Sequence, residues 1–331
     1  MTERDGYEHG VPCWVDTWQE DPDTAATFYA GVFGWDVQKG TPPGTDTRYY
    51  MCRLGESDVA AIGSPPRAGM PPAWTTYVWV DDADAVAASA VKAGGSLLAE
   101  PFGSLDGGRM AIVADPAGAV FGVWKPGAHR GAQRINEPSA YSMSFLRTPD
   151  PEVAKAFYGA VLGWTTEAFG PMLLWRLPGY VGGVPEQPVP RDVVAAMGRA
   201  GDGEAAHWRV DFWIADADAA AARATELGGS VVVGPEDAGS FREAVLADPA
   251  GATAAESGAT GLDEPRARRT YDRLTLASGS DCERSGRRRP SRLPVVPSGR
   301  ELAAGGDARL SKEQRASRPA SRPGGCSVSS N

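Results

Sequence analysis

The residues best suited to chemistry are concentrated in one short run, His207-Trp208-Arg209-Val210-Asp211-Phe212-Trp213. Successive side chains of a strand point to opposite faces, so His207, Arg209, Asp211 and Trp213 share one face. Arg209 and Asp211 can pair with each other or meet a charged ligand, and a buried guanidinium left alone would be costly. A structural ion pair is the simpler of the two readings. A second run, Trp14-Val15-Asp16, places an indole and a carboxylate on one face in the same way. The other two histidines, His9 and His129, fall in segments that lead into folded repeats, which predicts exposed side chains. No spacing sets a nucleophile beside a base. Cys13, Cys52, Cys282 and Cys326 lie far apart without a C-x-x-C pair, so free thiols are expected rather than a zinc knuckle or a disulfide framework.

The elements that position these residues are written twice. DPDTAATFYAGVFGW is answered by DPEVAKAFYGAVLGW, VDDADAVAASAVKAGGS by IADADAAAARATELGGS, and GRMAIVADPAGA by FREAVLADPAGA. The near-constant offset between copies is that of a tandem duplication with small loop changes. Asp21 and Asp150 read as N-caps followed by Pro22 and Pro151 at the first helical position. Ala25, Phe28, Tyr29, Val32 and Phe33 then fall on one helical face, as do Ala154, Phe157, Tyr158, Val161 and Leu162, and Gly34 and Gly163 close the helices. The acids of VDDAD and IADAD cap a second helix in each copy, where the dipole favours negative charge. Arg109 and Arg242 recur at equivalent hairpin positions, as solvated turn residues or as anion contacts. With the β-rich runs between, each block reads as strand, helix, three strands, then the same again.

Charge divides the chain differently. Residues 1–128 hold 8 Lys+Arg against 17 Asp+Glu, residues 129–258 hold 10 against 17, and the rest hold 15 against 8. Two acidic blocks therefore carry a basic tail, and nucleic-acid binding by the blocks is disfavoured. No run of about 18 apolar residues and no secretory signal is present, so the expectation is a cytoplasmic protein with no membrane partner. The tail, residues 259–331, is rich in Arg, Ser, Pro and Gly, and that composition predicts disorder. The first block closes on DPAGAVFGVWKP, whereas the second runs DPAGATAAESGATG, which predicts that the last strand is lost after Thr253. A shift of reading frame and a naturally diverged end both account for this.

With FY-x4-GW after a capped helix, V-D-D-x-D-A opening the second helix and D-P-x-G-A before the closing strand, the chain resembles the vicinal oxygen chelate superfamily of glyoxalases, bleomycin-resistance proteins and extradiol dioxygenases. The resemblance implies an α+β fold of tandem paired βαβββ units: four units in two modules, residues 8–128 and 137–258, ahead of the tail. It further implies a divalent ion in metal-dependent members, held by His, His or Gln, and Glu from three strands. Those positions hold Trp14, Thr75 and Gly122 in one module and Met143, Arg209 and Ala255 in the other, none a competent ligand. Glu256 stands one place past its expected position. No metal and no cofactor are therefore expected.

Strand parity gives the residues facing each cup. They are Trp14, Asp16, Thr75, Tyr77, Trp79 and Trp124, with Val120, in the first module, and Met143, Phe145, His207, Arg209, Asp211 and Trp213 in the second. Such a lining suits a small-molecule pocket or a filled aromatic core equally. The remaining tryptophans, Trp18, Trp35, Trp74, Trp164, Trp175 and Trp208, are assigned to core. The leading functional expectation is a metal-independent protein that binds a small aromatic or amphipathic molecule, with antibiotic or metabolite sequestration implied by the bleomycin-resistance branch. A lyase or oxygenase-like enzyme with a non-standard site, and a protein-interaction module using the tail, stay open. The two modules are expected to pair within the chain, and a homo-oligomer is left open.

Overall fold

The computed structural model describes residues 3–40, 46–65, 68–103, 108–182, 192–238 and 241–259; residues 260–331, all of the basic tail but its first residue, lie outside them. Four βαβββ units follow one another. The first comprises β1 (Pro12–Trp18), α1 (Pro22–Phe33), β2 (Asp36–Gln38), β3 (Tyr49–Leu54) and β4 (Ser57–Gly63). The second comprises β5 (Ala73–Trp79), α2 (Ala83–Lys92), β6 (Ser96–Gly103), β7 (Arg109–Ala114) and β8 (Val120–Lys125). The third comprises β9 (Tyr141–Thr148), α3 (Pro151–Leu162), β10 (Thr165–Phe169), β11 (Met172–Arg176) and β12 (Val193–Arg199). The fourth comprises β13 (His207–Trp213), α4 (Ala217–Glu226), β14 (Ser230–Ala238), β15 (Phe241–Ala247) and β16 (Thr253–Ala259). No helix among the described residues is long and apolar enough to cross a membrane.

The helix ends follow their capping residues. The Asp21 carboxylate accepts from the amides of Asp23 and Thr24, Pro22 occupies the first turn, and Gly34 ends α1 in the left-handed region at φ 71°. Asp150 and Gly163 repeat this arrangement around α3. Asp82 and Asp216 cap α2 and α4. The next acid in each helix is taken by a hairpin arginine: Arg109 forks onto Asp84, and Arg242 onto Asp218. Both arginines stay partly exposed while they hold these acids.

Each module closes into one eight-stranded sheet, ordered β2-β3-β4-β1-β5-β8-β7-β6 and β10-β11-β12-β9-β13-β16-β15-β14. The central antiparallel pairs, β1 with β5 and β9 with β13, join the two units of a module. The last strand of the second module is not lost. β16 runs antiparallel to β15 from the Ala247–Thr253 pair to the Phe241–Ala259 pair and parallel to β13. A ladder needs only backbone donors and acceptors, so flanking strands on both sides hold a run of small residues that has little strand preference of its own.

The modules are interleaved through their helices. α1 packs on α4 and α2 on α3, the sheets approach along β5 and β13, and the hydroxyls of Thr76 on β5 and Ser144 on β9 lie 2.6 Å apart. Two related aromatic clusters fill the seams. Tyr29, Phe33, Trp35 and Trp74 surround Phe212, while Phe157, Tyr158, Trp164, Trp175 and Trp208 gather beside Phe121. Trp35 donates to the Ser139 carbonyl and Trp164 to the equivalent Gly10 carbonyl, both at 2.7 Å. Five of the tryptophans assigned to core are buried here. Trp18 is not: it is half-buried on the cup face, beside Tyr49.

Candidate functional site

In the first module the β1–β5 register sets Trp14 opposite Tyr77 and Asp16 opposite Thr75. Tyr77 in turn faces Gly122, and Trp79 faces Trp124, on β8. Trp14, Asp16, Thr75, Tyr77, Trp79 and Trp124 are thus brought to one cup face, and all six are buried. They fill the space that the strands enclose. A β-carbon added at Gly122 would meet the Tyr77 ring at 2.2 Å, so the ring lies flat on the bare backbone. From Trp14 the indole N–H donates to the Tyr49 hydroxyl (3.2 Å), and that hydroxyl donates to Asp16 Oδ2 (3.1 Å). Burial pushes the Asp16 carboxyl up to about 7, against the pull of the Tyr77 and Tyr49 phenols.

His129 corrects an expectation. Its imidazole is not an exposed leader side chain but packs edge-on against Trp14, ring centroids 4.4 Å apart, and against Trp124 at 5.8 Å. The Trp124 indole donates to the His129 carbonyl, which holds the inter-module segment over the cup. The aromatic set of the first module therefore acts as core, with His129 as its stopper.

The second module has the same register and a different content. Arg209 faces Phe145, Asp211 faces Met143 and His207 faces Arg147 across β9 and β13. Asp211 occupies the place of Tyr77, Met143 that of Trp14 and Arg209 that of Thr75, while Phe145 sets a ring where Asp16 stands in the first module. Met143, Phe145, His207, Arg209 and Trp213 are half-buried, and Asp211 is 9% exposed. Arg209 donates through Nε to Asp211 Oδ1 (2.9 Å) and through Nη2 to Asp211 Oδ2 (3.3 Å), and Nη2 forms an ion pair with Glu243 Oε1 at 2.9 Å. Its guanidinium carbon lies 5.2 Å from the Phe145 ring centre. Burial draws down the Arg209 pKa, but Asp211 and Glu243 outweigh it and the net shift is upward. Burial pushes Asp211 up to about 6; Arg209 opposes that shift and Glu243 adds to it. Leu174 and Ala196, with Met143, Phe145 and Phe169, form an apolar half beside the charged one. Trp213 packs edge-on with Phe241 at 5.7 Å, and His207 stands 3.9 Å from Glu204, which also holds Arg147.

Three contributors are not apparent in the sequence. Tyr49 and His129 reach the first cup from a separate strand and from the inter-module segment. Glu243 has Met110 as its counterpart in the other copy, so comparing the repeats gives no sign of it.

The architecture is that of a double cup, each half a pair of βαβββ units closed into one sheet. The chain belongs to the glyoxalase/bleomycin resistance protein/dioxygenase superfamily. The profile of that superfamily matches residues 14–123, and the profile of a glyoxalase-like domain matches residues 143–256. The chain is 39% identical over 262 residues to CFP32 of Mycobacterium tuberculosis (strain CDC 1551 / Oshkosh), whose name carries a provisional glyoxylase assignment; the alignment covers 76% of this chain and 96% of that protein. It is 35% identical over 259 residues to the anthracycline biosynthesis protein DnrV of Streptomyces peucetius, covering 74% and 92%. Its fold is similar to that of the Mn(II)-bound glyoxalase from Novosphingobium aromaticivorans (TM-score 0.53, 19% identity, 76% and 82% covered). The 2,3-dioxygenase LapB from Pseudomonas sp. KL28 is similar in fold as well (TM-score 0.53, 13% identity, 78% and 96% covered).

The residues at the ion-holding positions do not fit a divalent cation. In the first module Trp14 and the Tyr77 ring over Gly122 occupy the space. In the second, Met143, Arg209 and Ala255 stand at those positions, and the nearby carboxylates of Asp211 and Glu243 are already turned to Arg209. The backbone register sets Glu256 opposite Phe212 and Ala244, while Ala255 shares the register of Asp211. Among the described residues no group of three His, Cys, Asp or Glu side chains is placed to hold a metal ion.

Proposed function

We propose that this protein binds a small aromatic or amphipathic molecule in the cup of its second module without a divalent ion, and that its role is sequestration of an antibiotic or metabolite. One observation carries the reading. The second cup keeps a half-buried lining of rings and a thioether beside a fixed Arg209–Asp211–Glu243 cluster, while the equivalent space of the first is packed shut. A pocket of apolar wall with a few oriented polar groups is the usual design for a small organic ligand. The name of the Streptomyces peucetius relative supports an aromatic guest, since an anthracycline is a fused-ring compound.

Calorimetric titration of the purified full chain with fused-ring aromatic compounds, paired with elemental analysis, tests this. Binding at one site per chain, unchanged by EDTA and lost in Phe145→Ala, is expected. A stoichiometric transition metal whose removal abolishes binding overturns it. Turnover of a bound compound that survives EDTA would instead favour a metal-free enzyme built on the same cluster.

A further inference from the structure

Arg209 stands at a floor position where an ion ligand is found in metal-dependent members, and it is itself a cation held from two sides. A guanidinium has five N–H donors in a planar fork. Two are committed to Asp211, Nε to Oδ1 and one Nη2 hydrogen to Oδ2, and Nη2 also pairs with Glu243 Oε1 at 2.9 Å. Among the described residues no acceptor meets Nη1, and Nη1 is not a buried atom lacking a partner, so its two donors remain open to an incoming group. The two carboxylates fix the plane of the fork, and the Phe145 ring lies beside it at 5.2 Å.

Building on the reading of this cup as an organic binding site, we infer that Arg209 anchors a neutral carbonyl oxygen of an aromatic ketone or quinone through Nη1, with the ligand's rings against Phe145 and Met143. The charges decide among ligand classes. With Asp211 and Glu243 ionised the cluster carries one net negative charge, so a carboxylate or phosphate ligand would approach two acids that a single arginine does not neutralise. A cationic amine would have to compete with Arg209 for the same two acids. A neutral oxygen acceptor meets neither obstacle and gains a charge-assisted hydrogen bond in a partly desolvated site.

A matched set on one ring system tests this: 9-fluorenone, fluorene, 9-aminofluorene and fluorene-9-carboxylate, titrated into the full chain with tryptophan emission and calorimetry as readouts. Fluorenone is expected to bind about 10- to 100-fold more tightly than fluorene, the gain of a hydrogen bond to a charged donor, and more tightly than the amine or the carboxylate. Arg209→Lys keeps a cation opposite Asp211 but has no spare fork edge, and it should bring fluorenone down to the affinity of fluorene. Glu243→Gln keeps an acceptor for Nη2 and removes the excess charge. It should leave fluorenone affinity unchanged and raise that of the carboxylate at least threefold; no rise overturns the charge argument. Equal binding of fluorenone and fluorene, or a preference for the amine or carboxylate, overturns the anchor while leaving the cup a binding site. Absence of binding by all four compounds counts against the cup itself.

Discussion

The hydroxyl of Tyr29 donates to Asp248 Oδ2 at 2.9 Å across 219 residues of chain, and Tyr158 makes the counterpart bond to Asp115 Oδ2 at 3.1 Å. Each tyrosine also accepts from a tryptophan, Trp74 Nε1 at 2.9 Å and Trp208 Nε1 at 2.8 Å. Each aspartate accepts the backbone amides of its own D-P-x-G-A turn. The repeated FY and DPAGA motifs are therefore two ends of one connection, made twice with the copies exchanged.

Tyr29→Phe removes a hydrogen bond to a buried carboxylate and strands the Trp74 indole, and a loss of about 2 kcal/mol is expected. Combined with Asp248→Asn, the two changes should be non-additive by about 1 kcal/mol or more in urea unfolding. Additivity would show that the contact contributes nothing to the seam.

Asp16 sets a pH dependence. Its folded carboxyl titrates at about 7, above the unfolded value, so the native state favours the proton and loses stability as pH rises from about 4 to about 7. A shift of this size corresponds to about 4 kcal/mol as an upper figure. Asp16→Asn should stabilise the protein by about 2–4 kcal/mol at pH 8 and change little at pH 4. Denaturant midpoints at the two pH values measure this, and a variant equally or less stable at pH 8 contradicts it.

Gly122→Ala should cost about 1–3 kcal/mol, because the added methyl cannot coexist with the Tyr77 ring at 2.2 Å. In a Tyr77→Ala background the same change should cost much less. The thermal midpoints of the four proteins give the coupling.

His129→Ala should open the first cup at a cost of about 1 kcal/mol, the worth of its ring contacts. Acrylamide quenching of tryptophan emission reports the result. Unchanged quenching would mean that His129 is not the closing element.

What can be read from the chain is mostly local. Asp21-Pro22 and Gly34 announce helix ends because capping acts within a turn, and strand alternation brings Arg209 and Asp211 to one face without knowledge of their neighbours. Long-range placement is another matter. Nothing near His129 reveals that its ring lies on Trp14, and Glu243 becomes visible only when β15 is laid beside β16. The final strand escapes a sequence reading for a related reason: the residues after Thr253 have weak preferences, and pairing with β13 and β15 decides their conformation. Whether a cup is filled or open depends on which rings meet across strands, as the Tyr77–Gly122 contact shows.

The exchange of helix partners, α1 with α4 and α2 with α3, leaves neither repeat self-sufficient. A polypeptide ending after β8 would expose both of its helix faces, and the surface that best complements them is the same pair on a sister copy turned through half a revolution. Halved, this protein should reassemble as a dimer; the intact chain is that dimer made covalent, which frees one cup to serve as ballast while the other is free to vary.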